Sequence, residues 1–303
     1  MNLSLYAITV LIWGTTWLAI YFQLGDVPVN VSVFYRFALA AILLLPWMWL
    51  TGKLQKTDAS DHKFMVLQGV CLFSLNFICF YNATQYITSG LVAVVFSLAT
   101  IFNAINNRLF WKEAVPAKVL VAGAIGTTGL ILLFLPEFQQ KDVSGDTLKG
   151  LLLAALGTYF FSLGNMISKR HSLKGITPLT TNAYAMGYGT AILAVILTAT
   201  AQPLVIDSRP QYLGALFYLS VFGSIVGFTT YLTLVARMGA NKAAYATVMF
   251  PVVALVLSSW FESYQWQTLS FIGLGLTMLG NVVINVNRIP SCLGRLNTSQ
   301  FFS

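Results

Sequence analysis

The sequence predicts an all-α polytopic membrane protein, with ten transmembrane helices in two inverted five-helix repeats around a central cavity. Three observations carry that reading. The chain divides into ten apolar runs, only 9% of its residues are Asp, Glu, Lys or Arg, and its basic residues gather in alternate connectors.

A 303-residue chain facing water needs roughly 25% charged residues to cover its surface. With 57% hydrophobic residues, this chain must turn apolar surface to lipid. It carries 17 Lys and Arg against 9 Asp and Glu, a net charge of +8. The basic residues stand in short clusters between apolar runs, so membrane orientation accounts for them and no nucleic-acid partner is expected. Cys71, Cys79 and Cys292 read as small apolar fillers. His62 and His171 fall in polar connectors. With no His, Asp or Glu cluster, neither metal, cofactor nor enzyme chemistry is expected. The apolar start, MNLSLYAITVLIWG, lacks a basic n-region and a small-residue cleavage site, and is expected to stay as a helix.

The runs cover about 3–22, 31–50, 64–81, 90–110, 117–135, 149–167, 179–200, 211–236, 241–260 and 268–286. Each is near the ~20 residues that cross the hydrocarbon, and lipid leaves helices as the only way for such runs to satisfy their backbone. With the N-terminus inside, the inner connectors hold 13 of the 17 basic residues. The outer connectors hold Lys141, Lys149 and Arg209, and Arg36 lies within span two. That asymmetry places both termini in the cytoplasm of a multi-pass protein of the cell (inner) membrane, and it requires an even number of spans.

The chain is doubled at an offset of 150 residues. Tyr81–Ala93 (YNATQYITSGLVA) is similar to Tyr231–Ala243 (YLTLVARMGANKA). The helices that follow share a face of mostly small residues: Ala93, Ser97, Thr100 and Ala104 in one, Ala243, Thr247, Phe250 and Ala254 in the other. Glu113 and Glu262 close both helices, and glycine-spaced spans come next. Each half has five spans, so the copies enter the bilayer in opposite senses, an arrangement typical of carriers with a site at the midplane. The expected units are 1–147 and 148–290, followed by a cytoplasmic tail, 291–303.

Several features then converge. They are LIWGTTW with Trp13 and Gly14, Arg36 early in span two, FYNATQYITSGLVAVV between spans three and four, Glu113, Pro251, and the glycine-spaced spans five and ten. In this order across residues 3–288 the chain resembles the EamA family of the drug/metabolite transporter superfamily. The resemblance implies inverted five-helix repeats around a central cavity, and export or occasional uptake of amino acids and related metabolites. The chain departs from the family in span four, where SLATIF stands in place of a frequent proline.

Candidate cavity residues are the polar and aromatic groups at membrane depth. Arg36 is the one charge well inside a span. It either contacts a substrate carboxylate near the outer mouth or snorkels outward to backbone carbonyls. Trp13 and Trp17 share a helix face, as a cavity wall or as packing with Trp17 in the interfacial belt. Asn76, Asn103, Ser162 and Asn165, with Tyr159 and Tyr245, form either a polar path or ordinary interhelical hydrogen bonds. Tyr81 and Tyr231, repeat equivalents near opposite faces, are candidate gates or belt aromatics. Pro251 is the candidate hinge.

The function expected is a carrier that moves small metabolites, amino acids or related compounds, out of the cell by alternating access. Uptake of a similar solute is the alternative, and a non-transporting scaffold is disfavoured by the short connectors. The expected partners are a small organic solute and the lipid bilayer, with the chain a monomer or weak homodimer.

Overall fold

The computed structural model describes residues 2–115, 117–139, 145–239, 243 and 246–285. Tyr245, Cys292 and the tail 291–303 lie outside them. Among the described residues there are ten helices. We label them α1 (Asn2–Tyr21), α2 (Val29–Leu50), α3 (Ala59–Ala83), α4 (Ser89–Trp111), α5 (Ala117–Gln139), α6 (Gly145–Leu173), α7 (Pro178–Ala199), α8 (Pro210–Met238), α9 (Ala246–Phe261) and α10 (Thr268–Asn285). The first eight are long and apolar enough to cross a membrane, and α9 and α10 carry shorter apolar runs. Leu11, Trp49, Leu152, Val195 and Phe271 point outward, each at least 60% exposed. Such side chains cover the bundle with a surface suited to hydrocarbon.

Prolines and glycines punctuate the chain where the backbone needs them. Pro178 opens α7 behind Thr177, whose hydroxyl accepts from the Thr180 amide at 3.4 Å. Gly175 (φ 74°) and Gly239 (φ 84°) take left-handed conformations after α6 and α8, where a side chain would be strained.

Helix packing is symmetric under exchange of the halves. Contacts of α1 with α8 and α9 reappear as contacts of α6 with α3 and α4, and α2–α8 reappears as α7–α3. Equivalent helices pack on each other as α2–α7, α4–α9 and α5–α10. All three pairs run antiparallel. Gln55, just past the end of α2, bonds Thr180 at the start of α7 (3.3 Å). Glu262, just past the end of α9, accepts from the Ser89 amide at the start of α4 (2.8 Å). Along α5 and α10, Gly129 faces Gly273 while Gly126 faces Gly280. Equivalent helices side by side in opposite directions require a two-fold axis across them, so the repeat is inverted.

The α5–α10 contact brings backbone close to backbone. A Cβ on Gly129 would lie 2.5 Å from the Thr277 amide nitrogen and 2.6 Å from the Gly273 carbonyl. One on Gly280 would lie 2.6 Å from the Ala122 carbonyl. Gly275, in contrast, faces open space. Small residues of this kind let membrane helices approach to backbone contact.

Three departures from the expected spans matter. First, α3 starts at Ala59, well before the apolar run, because its polar turns are paired. Asp61 is buried and bridges Arg170 (3.0 Å) and Lys174 (2.7 Å). His171 belongs to the last turn of α6 and is buried there, not in a connector. Second, α3 and α8 each contain a π-helical stretch, Cys71–Leu75 and Leu219–Val226. These fall at the repeat offset. Ser74 and Ser224 occupy equivalent places, and each hydroxyl donates to the carbonyl five residues back, Gly69 (3.1 Å) and Leu219 (2.9 Å). Third, α4 breaks between Phe96 and Ala99 although it has no proline there. The Ser97 and Leu98 amides bond three residues back, to Val94 and Val95. In α9, Pro251 cannot donate to the carbonyl of residue 247, which is equivalent to Ser97. Both helices of this pair are therefore weakened at the same level.

Candidate functional site

The two π-helical stretches lie close to each other in the bundle: Phe73 in one packs on Phe228, just past the other, at 4.9 Å. A π-turn inserts an extra residue and turns side chains away from the regular α spacing, so it recurs at functional sites. Here the segments of α3 and α8 that follow these turns, with α1, α2, the middle of α6 and the broken pair α4–α9, enclose a cavity. Its lining is Trp13, Thr16, Trp17, Ile20, Arg36, Asn76, Phe77, Phe80, Phe96, Phe161, Phe228 and Phe250. Eight of these twelve are aromatic. The cavity measures about 30 Å³, room for one or two waters. The expected central cavity is present in contracted form and must widen to admit a solute.

The rings pack against one another in edge-to-face and tilted pairs, offset arrangements that aromatic quadrupoles favour. Trp13 contacts Phe228 at 5.1 Å and Tyr231 at 4.8 Å. Trp17 contacts Phe80 at 5.4 Å, and Phe96 contacts Phe161 at 4.6 Å. Room for the Trp13 indole comes from α8. Its Nε1 donates to the Gly223 carbonyl (3.4 Å), and a Cβ on Gly227 would sit 2.5 Å from that nitrogen.

Arg36 does not reach the surface, being 2% exposed. Its Nε donates to Ser224 Oγ (2.9 Å), and its guanidinium carbon lies 4.2 Å from the Phe77 ring centre and 5.2 Å from that of Phe37. Ser224 is thus held by the π-turn so that it can accept from Arg36 while donating to Leu219. Asn76 ends the other π-turn, and its Oδ1 accepts from the Phe77 amide (2.8 Å).

Toward the chain termini the aromatic chamber gives way to a polar layer. Asn165 Nδ2 donates to Tyr231 Oη (3.1 Å) and Asn103 Oδ1 (3.3 Å). Asn106 Nδ2 donates to Ser162 Oγ (2.9 Å). Tyr231 bridges the two zones, with its ring against Trp13 and its hydroxyl in the polar layer. Interhelical bonds of this sort contribute about 0.6 kcal/mol each. Tyr231→Phe is therefore expected to lower unfolding stability in detergent by less than about 1 kcal/mol, since the ring packing survives. A loss several times larger, measured by thermal unfolding, would contradict this reading of the layer.

Side-chain contacts tie helices together at both ends of the bundle. At the end away from the termini, Tyr81 donates to Gln23 Oε1 (2.7 Å). Glu262 accepts there from the Ser89 amide, the Ser89 hydroxyl and Ser258 Oγ, and Ser258 Oγ accepts from the Gly90 amide (2.9 Å). A carboxylate over the first turn of α4 also meets the positive end of its dipole. At the other end, Lys169 bridges Glu113 (2.6 Å) and donates to Asn107 (3.0 Å).

Of the residues singled out from sequence, Trp13, Trp17, Arg36 and Asn76 line the cavity. Asn103, Ser162, Asn165 and Tyr231 form the layer beside it, and Tyr81 helps tie helices together at one end. Tyr159 stands apart, packed edge-on against Phe102 at 5.6 Å. Pro251 lies inside α9, next to cavity-lining Phe250. Apart from Phe250, which lies on the face shared by the repeats, the phenylalanines of the lining and Ser224 carried no sequence signal. An inward Phe is indistinguishable from a lipid-facing one in an apolar run, and only the repeat offset links Ser224 to Ser74.

The comparisons with known proteins agree with this architecture. The model of the EamA-like transporter family matches residues 2–135 and 148–286. Protein PagO of Salmonella typhimurium is 24% identical, covering 91% of this chain and 92% of its own. The uncharacterized inner membrane transporter YedA of Escherichia coli is also 24% identical, covering 94% and 90%. A solved crystal structure superposes with a TM-score of 0.70 at 15% identity, covering 93% of this chain and 95% of the other. It is a likeness of fold.

Proposed function

This chain belongs to the EamA-like transporter family, and from that premise we propose that it moves small organic metabolites, amino acids or related compounds, out of the cell by alternating access. One observation carries the reading. Two inverted units meet around a small central cavity, with irregular helix segments in α3 and α8 beside it. When inverted units exchange conformations, the opening moves from one face to the other around a fixed site. Residues 1–147 and 148–290 are the exchanging units in this scheme. Trp13, Trp17, Arg36 and Asn76 are its solute contacts, and the α4 break with Pro251 in α9 supplies its hinge.

By analogy with the inner membrane transporter among its relatives, we place the protein in the inner membrane, with both termini cytoplasmic. One chain encloses the whole cavity, so a monomer or weak homodimer suffices.

The test is solute counterflow in vesicles reconstituted with the purified full-length protein. Vesicles preloaded with unlabelled amino acids, organic acids, sugars or amines would be diluted into trace labelled solute. Transient accumulation of at least one class above protein-free vesicles is expected. No accumulation in any class would overturn the carrier reading.

A further inference from the structure

Building on that carrier reading, and narrowing its solute from amino acids to related acids, we infer that the solute is a monovalent organic anion: one carboxylate, or an equivalent oxyanion, on an aromatic or apolar body without an ammonium group. The cavity is a chamber of donors. Among the described residues, the polar side-chain atoms of its lining without a hydrogen-bond partner are Arg36 Nη1, Asn76 Nδ2 and Trp17 Nε1. All three are N–H donors, on side chains that are 2%, 0% and 5% exposed. The Asn76 amide cannot simply be turned over, because its Oδ1 already accepts from the Phe77 amide. A buried donor without an acceptor is costly, so these groups together call for an acceptor-rich ligand.

The charge points the same way. The Arg36 guanidinium meets two neutral hydroxyls, those of Ser224 and Tyr81, and aromatic faces. Among the described residues no ion pair includes it, and no Asp or Glu lines the cavity. An uncompensated cation at membrane depth gains most from an anion brought to it in low dielectric. A single cation matches a single negative charge and leaves a dianion unbalanced.

A zwitterion fares worse than the bare acid. Its ammonium would enter a small chamber already holding Arg36, with no carboxylate to receive it. The ring face best placed to accept a cation, that of Phe77, is taken by the guanidinium. The remaining walls, from Trp13, Phe80, Phe96, Phe161 and Phe250, suit a flat or apolar body.

Three probes with the same phenyl ring and similar chain separate the cases: 3-phenylpropanoate, phenylalanine and phenethylamine. Counterflow with the reconstituted full-length protein is expected to accept the acid at least tenfold better than phenylalanine and to leave the amine at background. Arg36→Gln should lower exchange of the acid at least tenfold, and Arg36→Lys, which keeps a charge, should retain more of it than Arg36→Gln. If Arg36→Gln does not fold, the wild-type ranking and Arg36→Lys still decide. Phenylalanine or phenethylamine handled as well as the acid would overturn the anion assignment while leaving the carrier intact. So would failure of all three probes alongside transport of a sugar or amine. Failure of every solute class would overturn the carrier reading itself.

Discussion

Oxidising a Ser89→Cys/Ser258→Cys variant is expected to stop transport completely, with recovery on reduction. The two hydroxyl oxygens lie 3.4 Å apart across the α4–α9 contact, at the end away from the termini. The two side chains are therefore neighbours, and the disulfide forms as they turn until the sulfurs stand about 2.05 Å apart. Glu262, which now binds both serines, loses two partners in the variant, so the reduced protein is the proper reference. Alternating access requires this end to part and α4 to move away from α9. A covalent tie holds it shut while the opposite end stays free. Cys71 and Cys79 are buried and free. Counterflow would be measured before oxidation, after oxidation and after reduction, with mass spectrometry to verify the link. Full activity in linked protein would mean that the α4–α9 contact does not open during transport.

Gly129→Leu is expected to abolish the folded protein, at a cost of at least about 3 kcal/mol, the upper range for overpacking a close contact. The first side-chain carbon alone would meet backbone on the facing helix, at 2.5 Å from the Thr277 nitrogen and 2.6 Å from the Gly273 oxygen. A flexible side chain can rotate away, but backbone cannot without separating α5 from α10. Gly273→Leu should behave alike, since its Cβ would lie 2.6 Å from both the Gly129 carbonyl and the Leu133 amide nitrogen. Gly275→Ala, on open space in the same helix, should shift stability by no more than about 0.5 kcal/mol. Size-exclusion profiles and thermal unfolding in detergent would compare the three. Comparable behaviour of Gly129→Leu and Gly275→Ala would remove the close-packing account.

Polarity and helix period alone made several features legible. A chain with so few charges has to face lipid, and lipid permits such runs only as helices. The number of spans follows from their length, and the inverted repeat from Tyr81–Ala93 matching Tyr231–Ala243 with an odd number of spans per half. Arg36 announced itself because a charge at that depth has few innocent explanations.

What the solute would meet was decided by the tertiary structure. Whether Phe96 faces the cavity and Phe110 the lipid depends on which helices pack where, and an apolar run reads the same either way. The π-turns, the break in α4 without a proline, and Ser224 beneath Arg36 arise because neighbouring helices hold the backbone away from regular α geometry. Tyr159, as polar in sequence as Tyr231, packs against Phe102 instead. Sequence sets which groups can be buried in lipid, because transfer energies belong to individual residues. Which buried groups meet is a property of helix rotation and contact, set only when the ten helices pack together.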